Sequence, residues 1–178
     1  GLDPIIKESF YGLDIQETIE SFIPIVDSGD VAPGFSSEDS DGNVLSLNQF
    51  KGKTVLLDFG AGWCVPCKKE IPEVKKIFDK YNSKGLEIIG VSFDKNKTSW
   101  KENIRDEKLN WHHIYVGSNN IREKGSINSL YRVKPIPAYI LIDENGIIVD
   151  RYRGADEHDK SLKELEAKLE TLLSSELL

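Results

Sequence analysis

Residues 54–67 read TVLLDFGAGWCVPC, and this stretch decides the fold. It opens with an apolar run from Thr54 to Phe59, rich in strand-forming side chains, which is typical of a strand buried on both faces. The loop that follows carries Cys64 and Cys67, separated by two residues. Apolar side chains then recur at helical spacing, at Ile71, Val74, Ile77, Phe78 and Tyr81. We therefore predict a strand, a tight loop and a helix, with the two cysteines where the helix begins.

The next segments extend this unit into a sheet. Residues 86–93 form a second strand-forming run, so strand, helix and strand make a β-α-β unit with parallel strands. A second helix is predicted over residues 98–108, an extended piece over 111–116 and a short helix around 126–132. One half of the sheet is therefore expected to be parallel.

The C-terminal part of the chain indicates an antiparallel half of the same sheet. Apolar runs at 138–142 and 147–149 flank a Gly-bearing turn at 143–146, which is typical of a hairpin. A final amphipathic helix that covers one sheet face is predicted from Leu162, Leu165, Leu169, Leu172 and Leu173. Together these elements predict an α/β fold with a central mixed sheet.

The first part of the chain is expected to lie outside the main domain. Helix-spaced apolar residues precede a polar break at 27–30, and they are Ile15, Ile19, Phe22 and Ile23. We predict a helical N-terminal extension over residues 1–29, the tail of an upstream domain or a linker, and one domain over residues 30–178. Within that domain, the sequence DGN at 41–43 predicts a hairpin turn.

Composition and charge exclude some classes of function. The formal net charge is −7, and no basic stripe interrupts the sequence, which argues against binding to nucleic acid. The hydrophobic fraction of 39% is that of a soluble globular protein, and no apolar run approaches the ~20 residues that span a bilayer. We expect neither a nucleic-acid partner nor membrane contact by this chain itself.

The cysteine pair carries the chemistry. A helix N-terminus presents unpaired amides and positive dipole character, which favour the thiolate form of Cys64. Cys67 lies one turn further on, where it can reach the same sulfur while the helix and sheet shield it. We therefore expect Cys64 to attack a disulfide and Cys67 to resolve the mixed disulfide. Pro66 suits the first helical turn, where a missing N–H costs little, and we place it among the substrate-contacting residues.

Other roles for the two cysteines are weighed against this one. A zinc site would need about four ligands, and His112, His113 and His158 do not stand at ligand spacing, so no metal is expected. Haem attachment would require His directly after the second cysteine, where Lys68 stands. Two incidental buried cysteines are the remaining alternative.

The segment DFGAGWCVPCKKE at 58–70 resembles the active-site segment of thioredoxin-like proteins. More narrowly, it resembles TlpA/ResA-type thiol-disulfide oxidoreductases of the AhpC/TSA-like grouping, including those of the Bacteroides type. The resemblance extends over about residues 31–174 and includes APGF at 32–35, KGK at 51–53 and LID at 141–143. It implies a thioredoxin-like fold, with helices on both faces of the sheet and an N-terminal hairpin extension. It also implies an enzyme that reduces or exchanges disulfides in exported proteins, with no cofactor beyond the Cys64–Cys67 pair.

The same resemblance implies roles for five further residues. Asp58 matches the buried acid that relays protons to the second cysteine, and Glu70 matches an acid found near the site. Pro137 is similar to the cis-proline that faces the cysteines. Because Pro137 directly precedes a strand, the backbone edge at Ile136 is free to pair with an extended substrate. Trp63 either packs beside the disulfide as part of the site wall or contacts a partner.

The partners and location follow from the resemblance as well. It implies protein thiols and disulfides as partners, an upstream electron donor, and a periplasmic or cell-envelope location, and it leaves open a lipid anchor in the full-length protein. Gly60 departs from the family pattern, because a large aromatic usually stands there. A more open site wall is therefore expected.

Two competing functions belong to other classes. A thiol peroxidase of the peroxiredoxin kind generally has Thr or Ser three residues before its reactive cysteine, and Ala61 stands there in this chain. The second is a copper- or zinc-binding thioredoxin-like module without redox activity. Metal titration with thiol counting would separate that module from an oxidoreductase.

Overall fold

The computed structural model describes residues 26–117, 126–133, 135–154 and 160–174. The strands within these ranges are β1 (Ser36–Glu38), β2 (Val44–Ser46), β3 (Thr54–Gly60), β4 (Leu86–Ser92), β5 (His112–Tyr115), β6 (Ala138–Ile142) and β7 (Ile148–Arg153). The helices are α1 (Val65–Tyr81), α2 (Lys97–Asp106), α3 (Ile127–Leu130) and α4 (Lys160–Ser174), with 3-10 turns at Leu47–Phe50 and Asn82–Lys84. None of the described helices has the length and apolar character needed to cross a membrane. The helix predicted from residues 15–23 lies outside the described residues.

Five strands form the central sheet, in the order β5-β4-β3-β6-β7. Strands β3, β4 and β5 are parallel, whereas β6 pairs antiparallel with both β3 and β7. The crossover from β3 through α1 to β4 is the predicted β-α-β unit, and β6 and β7 form the predicted hairpin. The predicted mixed sheet is confirmed.

Both faces of the sheet are covered. On one face, α1 and α4 pack their apolar side chains against alternate strand residues such as Leu56, Ile88 and Leu141. On the other face, α3 and the segment around the β1–β2 hairpin cover residues such as Leu57 and Ile140. The side chains that alternate along β3 therefore divide between two cores, which explains why its sequence is apolar almost throughout.

The N-terminal hairpin and the residues before it are attached to the sheet. The β1–β2 turn is closed by Asp39, whose Oδ1 accepts hydrogen bonds from the amides of Asp41 and Asn43 at 2.9 Å and 2.8 Å. Further upstream, the Gly29 amide donates to the Ile148 carbonyl at 2.8 Å. The boundary between residues 29 and 30 stays a prediction.

The strand register places one row of side chains below the active-site helix. Tyr139 on β6, Asp58 on β3, Gly90 on β4 and His113 on β5 are neighbours across four adjacent strands. Paired residues on neighbouring strands point to the same face, so all four belong to the face that α1 covers. This row positions the polar groups of the site described below.

Candidate active site

The two cysteines form a disulfide at the N-terminus of α1. The Cys64 and Cys67 sulfurs are 2.05 Å apart, and the Cα atoms are 5.3 Å apart. Cys64 is the N-cap residue, and its Sγ accepts a hydrogen bond from the Cys67 amide at 3.2 Å. Pro66 lies in the first turn, and no acidic residue does. The first-turn amides and the helix dipole therefore act on the Cys64 sulfur without an opposing carboxylate.

The exposure of the two cysteines differs from the sequence-based expectation. In this oxidised form Cys64 is 4% exposed, whereas Cys67 is half-buried. The expectation that Cys67 is the better shielded residue is therefore wrong for the disulfide state. Cys67 also lines a cavity of about 50 Å³ behind α1, so the helix and the sheet do not close fully around it.

Apolar side chains form an exposed rim next to the disulfide. Trp63 is 54% exposed and Val65 is 63% exposed, and Pro66 is exposed beside them. The Trp63 indole Nε1 donates to the carbonyl of Phe93 at 3.2 Å, which fixes the ring against the loop after β4. Trp63 is thus anchored to the chain and still presents apolar surface, and its contact with a partner stays a prediction.

The start of β6 supplies another part of the site. The Ile136–Pro137 peptide bond is cis, as the resemblance implied. Pro137 is buried, and its carbonyl accepts a hydrogen bond from the Gly154 amide at 3.0 Å. Ile136 packs against the apolar cluster that contains Cys64, as Cys67 does. Among the residues that the structure describes, no hydrogen bond involves the Ile136 backbone, so this edge can accept an extended chain.

Asp58 lies under the active-site helix, beside the second cysteine. It is half-buried on the central strand β3 and lines the same cavity as Cys67. Burial, and to a smaller extent the negative charge of Glu70, raise the pKa of the Asp58 carboxyl to about 7. Both causes act in the same direction because each disfavours the ionised form. The carboxyl can therefore gain or lose a proton near neutral pH.

Glu70 lies between the helix and the start of β6. The Tyr139 hydroxyl donates to Glu70 Oε2 at 2.6 Å, which fixes the carboxylate. A side chain at position 154 would collide with the Glu70 carboxylate and with the Pro137 ring. A Cβ atom added to Gly154 would lie 2.5 Å from the Cγ of Pro137. Glycine at this position therefore allows Glu70, Pro137 and the end of β7 to come together. The structure brings Glu70 close to both Asp58 and the cis-proline.

The Redoxin family model matches residues 27–169, which include the disulfide, Asp58, Glu70 and Pro137. The chain belongs to the Redoxin family.

Several relatives of this redoxin are named for thiol-disulfide chemistry or for thioredoxin. The chain is 34% identical over 126 residues to the thiol-disulfide oxidoreductase ResA of Bacillus thuringiensis subsp. konkukian, covering 71% of this chain and 69% of that protein. It is 31% identical over 170 residues to the thioredoxin-like protein YneN of Bacillus subtilis, covering 96% and 95%. The solution structure of a thiol:disulfide interchange protein from Bacteroides sp. is 32% identical, with a TM-score of 0.70 and coverage of 84% and 91%. The redoxin is a thiol-disulfide oxidoreductase of the TlpA/ResA type with a thioredoxin-like fold, as the sequence predicted.

Two features of this redoxin's site were not predicted from the sequence. Asp94, which is 2% exposed, accepts hydrogen bonds from the Gly62 amide at 3.0 Å and from the Ser92 hydroxyl at 2.8 Å. It thereby ties the loop before Cys64 to the end of β4. The sequence did offer one indication of this role. Asp94 directly follows the run predicted as a parallel strand, and ligands of α/β proteins bind at the carboxyl ends of such strands. The second feature is Tyr139. In the sequence it looks like an ordinary apolar strand residue, and only the structure shows that its hydroxyl binds Glu70.

Gly60 in the redoxin has the consequence expected from its departure from the family. It lines the cavity beside Asp58 and Cys67, and a Cβ there would lie 3.7 Å from the Cys67 sulfur. The position itself is not crowded, since that is an ordinary van der Waals distance. The missing aromatic side chain therefore leaves the wall next to Cys67 open.

We expect the Glu70→Gln substitution to lower the pKa of Asp58. Gln keeps an oxygen that accepts from Tyr139 but removes the negative charge that disfavours the ionised form of Asp58. The shift should be about half a unit, because burial is the larger cause and remains. Carbon-13 NMR titration of the Asp58 carboxyl measures it.

The matched control for this change is Glu73→Gln, one turn along α1. Glu73 pairs with Lys76 at 2.7 Å, away from the cysteines, and its replacement should leave the Asp58 titration unchanged. A pKa of Asp58 that stays constant or rises in Glu70→Gln would contradict the assigned coupling.

Proposed function

We propose that this redoxin reduces or exchanges disulfides of exported proteins, and that it works in the periplasm or cell envelope with an upstream thiol electron donor. The observation that carries the proposal is the Cys64–Cys67 disulfide at a helix N-terminus, beside an exposed apolar rim and the backbone edge at Ile136. Such a rim with an adjacent backbone edge suits an extended polypeptide better than a small solute. The name of the ResA relative supports the same activity.

The proposed reaction transfers two electrons in two exchanges. In the reduced chain the Cys64 thiolate attacks one sulfur of a substrate disulfide, which forms a mixed disulfide and releases the other substrate sulfur as a thiolate. The Cys67 thiolate then attacks Cys64 Sγ, which closes the intramolecular disulfide and releases the second substrate thiolate. A dithiol donor reduces the Cys64–Cys67 disulfide by the same two exchanges in reverse order.

The assignment of the attacking sulfur to Cys64 is supported by the shape of the site. Cys67 lines a cavity of about 50 Å³, which is too small for a polypeptide disulfide. Cys64 adjoins the exposed Trp63 and Val65, so a partner that covers this rim meets Cys64 first. The helix N-terminus further favours a thiolate at this sulfur.

Insulin reduction in the presence of dithiothreitol tests the proposal. The protein should accelerate precipitation of the insulin B chain, and equilibration with glutathione should give a defined reduction potential for the Cys64–Cys67 pair. The double variant Cys64→Ser/Cys67→Ser is the control. No acceleration over this control would contradict the proposal, and consumption of hydrogen peroxide in place of insulin reduction would favour the peroxidase alternative.

A further inference from the structure

The cavity behind α1 contains polar groups that disulfide exchange by the cysteines does not itself require. It has a volume of about 50 Å³ and lies between the central sheet, α1 and α2. Its lining includes Asp58, Gly60, Cys67, Gly90, Asn103 and His113. Asp58, the acid expected to relay protons, and the resolving cysteine therefore share one chamber with an imidazole and an amide.

Gly90 determines how His113 enters this chamber. The strand register places Gly90 between Asp58 and His113 on the same face of the sheet. A Cβ at residue 90 would collide with the imidazole at Nδ1, so the His113 ring lies over the glycine. No side chain separates the ring from the Asp58 side of the chamber. A glycine in the middle of a strand weakens that strand. One usual reason for a glycine there is that another group approaches the backbone closely.

Several polar atoms of this chamber have no protein partner. His113 Nε2, Asn103 Oδ1 and Trp100 Nε1 are buried, and none has a hydrogen bond within the described part of the chain. All three residues line the cavity, and His113 is only 6% exposed. Buried polar atoms in native proteins are nearly always satisfied, by ordered water when protein groups do not reach them.

The cavity is large enough to hold water molecules that could bind these polar atoms. A buried water needs roughly 10–15 Å³ of such volume and two to four polar partners, so the chamber has room for about three waters. The lining is mixed, with apolar side chains such as Ile71 and Val74 beside three residues that carry polar groups, Asp58, Asn103 and His113. A wholly apolar cavity of this size would stay empty, and these polar residues are what make the chamber suited to water.

We propose that the chamber holds ordered water that binds His113 and Asn103 and exchanges protons with the Asp58 carboxyl. His113 is a positioning residue that acts through this water. The inference rests on the proposed role of Asp58 in the exchange reaction and extends it to the groups behind it.

The charges around Asp58 are consistent with a water-mediated role for His113. The titratable groups that face Asp58 or the chamber are Cys67 and Glu70 from α1, Tyr139 from β6, His113 from β5 and Asp94 after β4. Between α1 and α2, Lys68 pairs with Glu107 at 3.5 Å. Burial, and to a smaller extent the neighbouring His112, lower the pKa of His113 to about 3, so the ring is neutral at pH 7. A neutral imidazole can hold a water without adding charge.

The proton step balances without any co-reactant. Asp58 takes the proton of the Cys67 thiol, which leaves a Cys67 thiolate and a neutral carboxyl. The carboxyl then gives its proton to the bound water while that water passes one of its own through a neighbouring water to bulk solvent, where the released substrate thiolate takes up a proton, so both the carboxylate and the bound water are regenerated. His113 and Asn103 keep their protonation states throughout.

The His113→Phe substitution tests the proposal, because it keeps the ring and removes Nε2. We expect the pKa of Asp58 in the reduced protein to rise by about one unit, since a less hydrated carboxyl ionises less readily. We also expect the loss of at least one long-lived internal water, counted by oxygen-17 magnetic relaxation dispersion. His113→Gln, whose Nε2 can take the place of the imidazole Nε2, should restore both values to near wild type. His112→Phe, on the opposite face of β5, is the matched control and should change neither.

The outcomes separate this inference from the proposed function. Neither the carboxyl titration nor the water count requires disulfide exchange, so both can be measured in a protein that fails to reduce insulin. If His113→Phe folds with the Asp58 titration and the water count of wild type, the inference is overturned. If His113→Phe does not fold, Asn103→Leu should produce the same two changes, and its failure to do so overturns the inference equally.

Discussion

Replacing Cys64 with Ser should abolish disulfide exchange, whereas replacing Cys67 with Ser should trap mixed disulfides with substrates. Without Cys64 no sulfur at the helix N-terminus can attack, and insulin reduction should fall by on the order of 1,000-fold or more. Without Cys67 the first exchange still occurs, but nothing displaces the substrate from Cys64. Because the chain has only two cysteines, each single variant carries one thiol. Mass spectrometry then assigns every adduct without ambiguity.

The trapping variant also tests the expected class of substrate. Expressed as the full-length protein in its own host, Cys67→Ser should capture proteins of the cell envelope through Cys64, and reducing agent should release them. The double serine variant controls for non-covalent retention. Equal yields of mixed disulfide from Cys64→Ser and Cys67→Ser would contradict the assigned order of attack, and adducts formed mainly with cytoplasmic proteins would contradict the proposed location.

The strands and the helix that carry the cysteines were predictable because their signals are local. The apolar run before Cys64 and the helical spacing after Cys67 require only near neighbours in sequence, and the β-α-β rule then fixes the parallel pairing. The hairpin from β6 to β7 follows from a turn signal of the same kind. The resemblance supplied the cis-proline, which occurs at only about 5–6% of X–Pro bonds and which composition alone would not predict.

The polar surroundings of the cysteines were not predictable, because they depend on register between distant strands. Gly90 and His113 are 23 positions apart in the sequence, and only the pairing of β4 with β5 brings the imidazole over the glycine. Likewise, Tyr139 meets Glu70 only because β6 pairs with β3 below α1. The cavity that Cys67 lines was not predictable either, because it depends on how α1, α2 and the sheet pack together.

Replacing Asp58 with Asn should slow the second exchange far more than the first. Asp58 and Cys67 line one cavity, and burial together with Glu70 raises the pKa of this carboxyl to about 7. A group with that pKa can take the proton of the Cys67 thiol at neutral pH, which an amide cannot do. We expect the release of substrate to slow on the order of 100-fold at pH 7. Stopped-flow measurement of the decay of the mixed disulfide separates the rate of substrate release from the rate of attack by Cys64.

The same substitution should change how stability depends on pH. Between pH 4 and pH 7 the unfolded chain has an ionised Asp58 and the folded chain a neutral one, so the folded state binds more protons and its stability falls as pH rises. Asn does not titrate. Relative to wild type, Asp58→Asn should therefore gain on the order of 3 to 4 kcal/mol of unfolding free energy between pH 4 and pH 8. Urea denaturation at the two pH values measures this gain.

Asp79→Asn is the control for both measurements, since it removes an exposed carboxyl from the same helix as the cysteines. It should change neither the decay of the mixed disulfide nor the pH dependence of stability. The two predictions for Asp58 are physically independent. The kinetic effect requires proton transfer, whereas the stability effect requires only a buried carboxyl. A stability gain without slower release would make Asp58 a buried acid with no part in the exchange. An unchanged stability profile would mean that the carboxyl ionises as freely in the folded chain as in water, and its role as a proton relay near neutral pH would then fail.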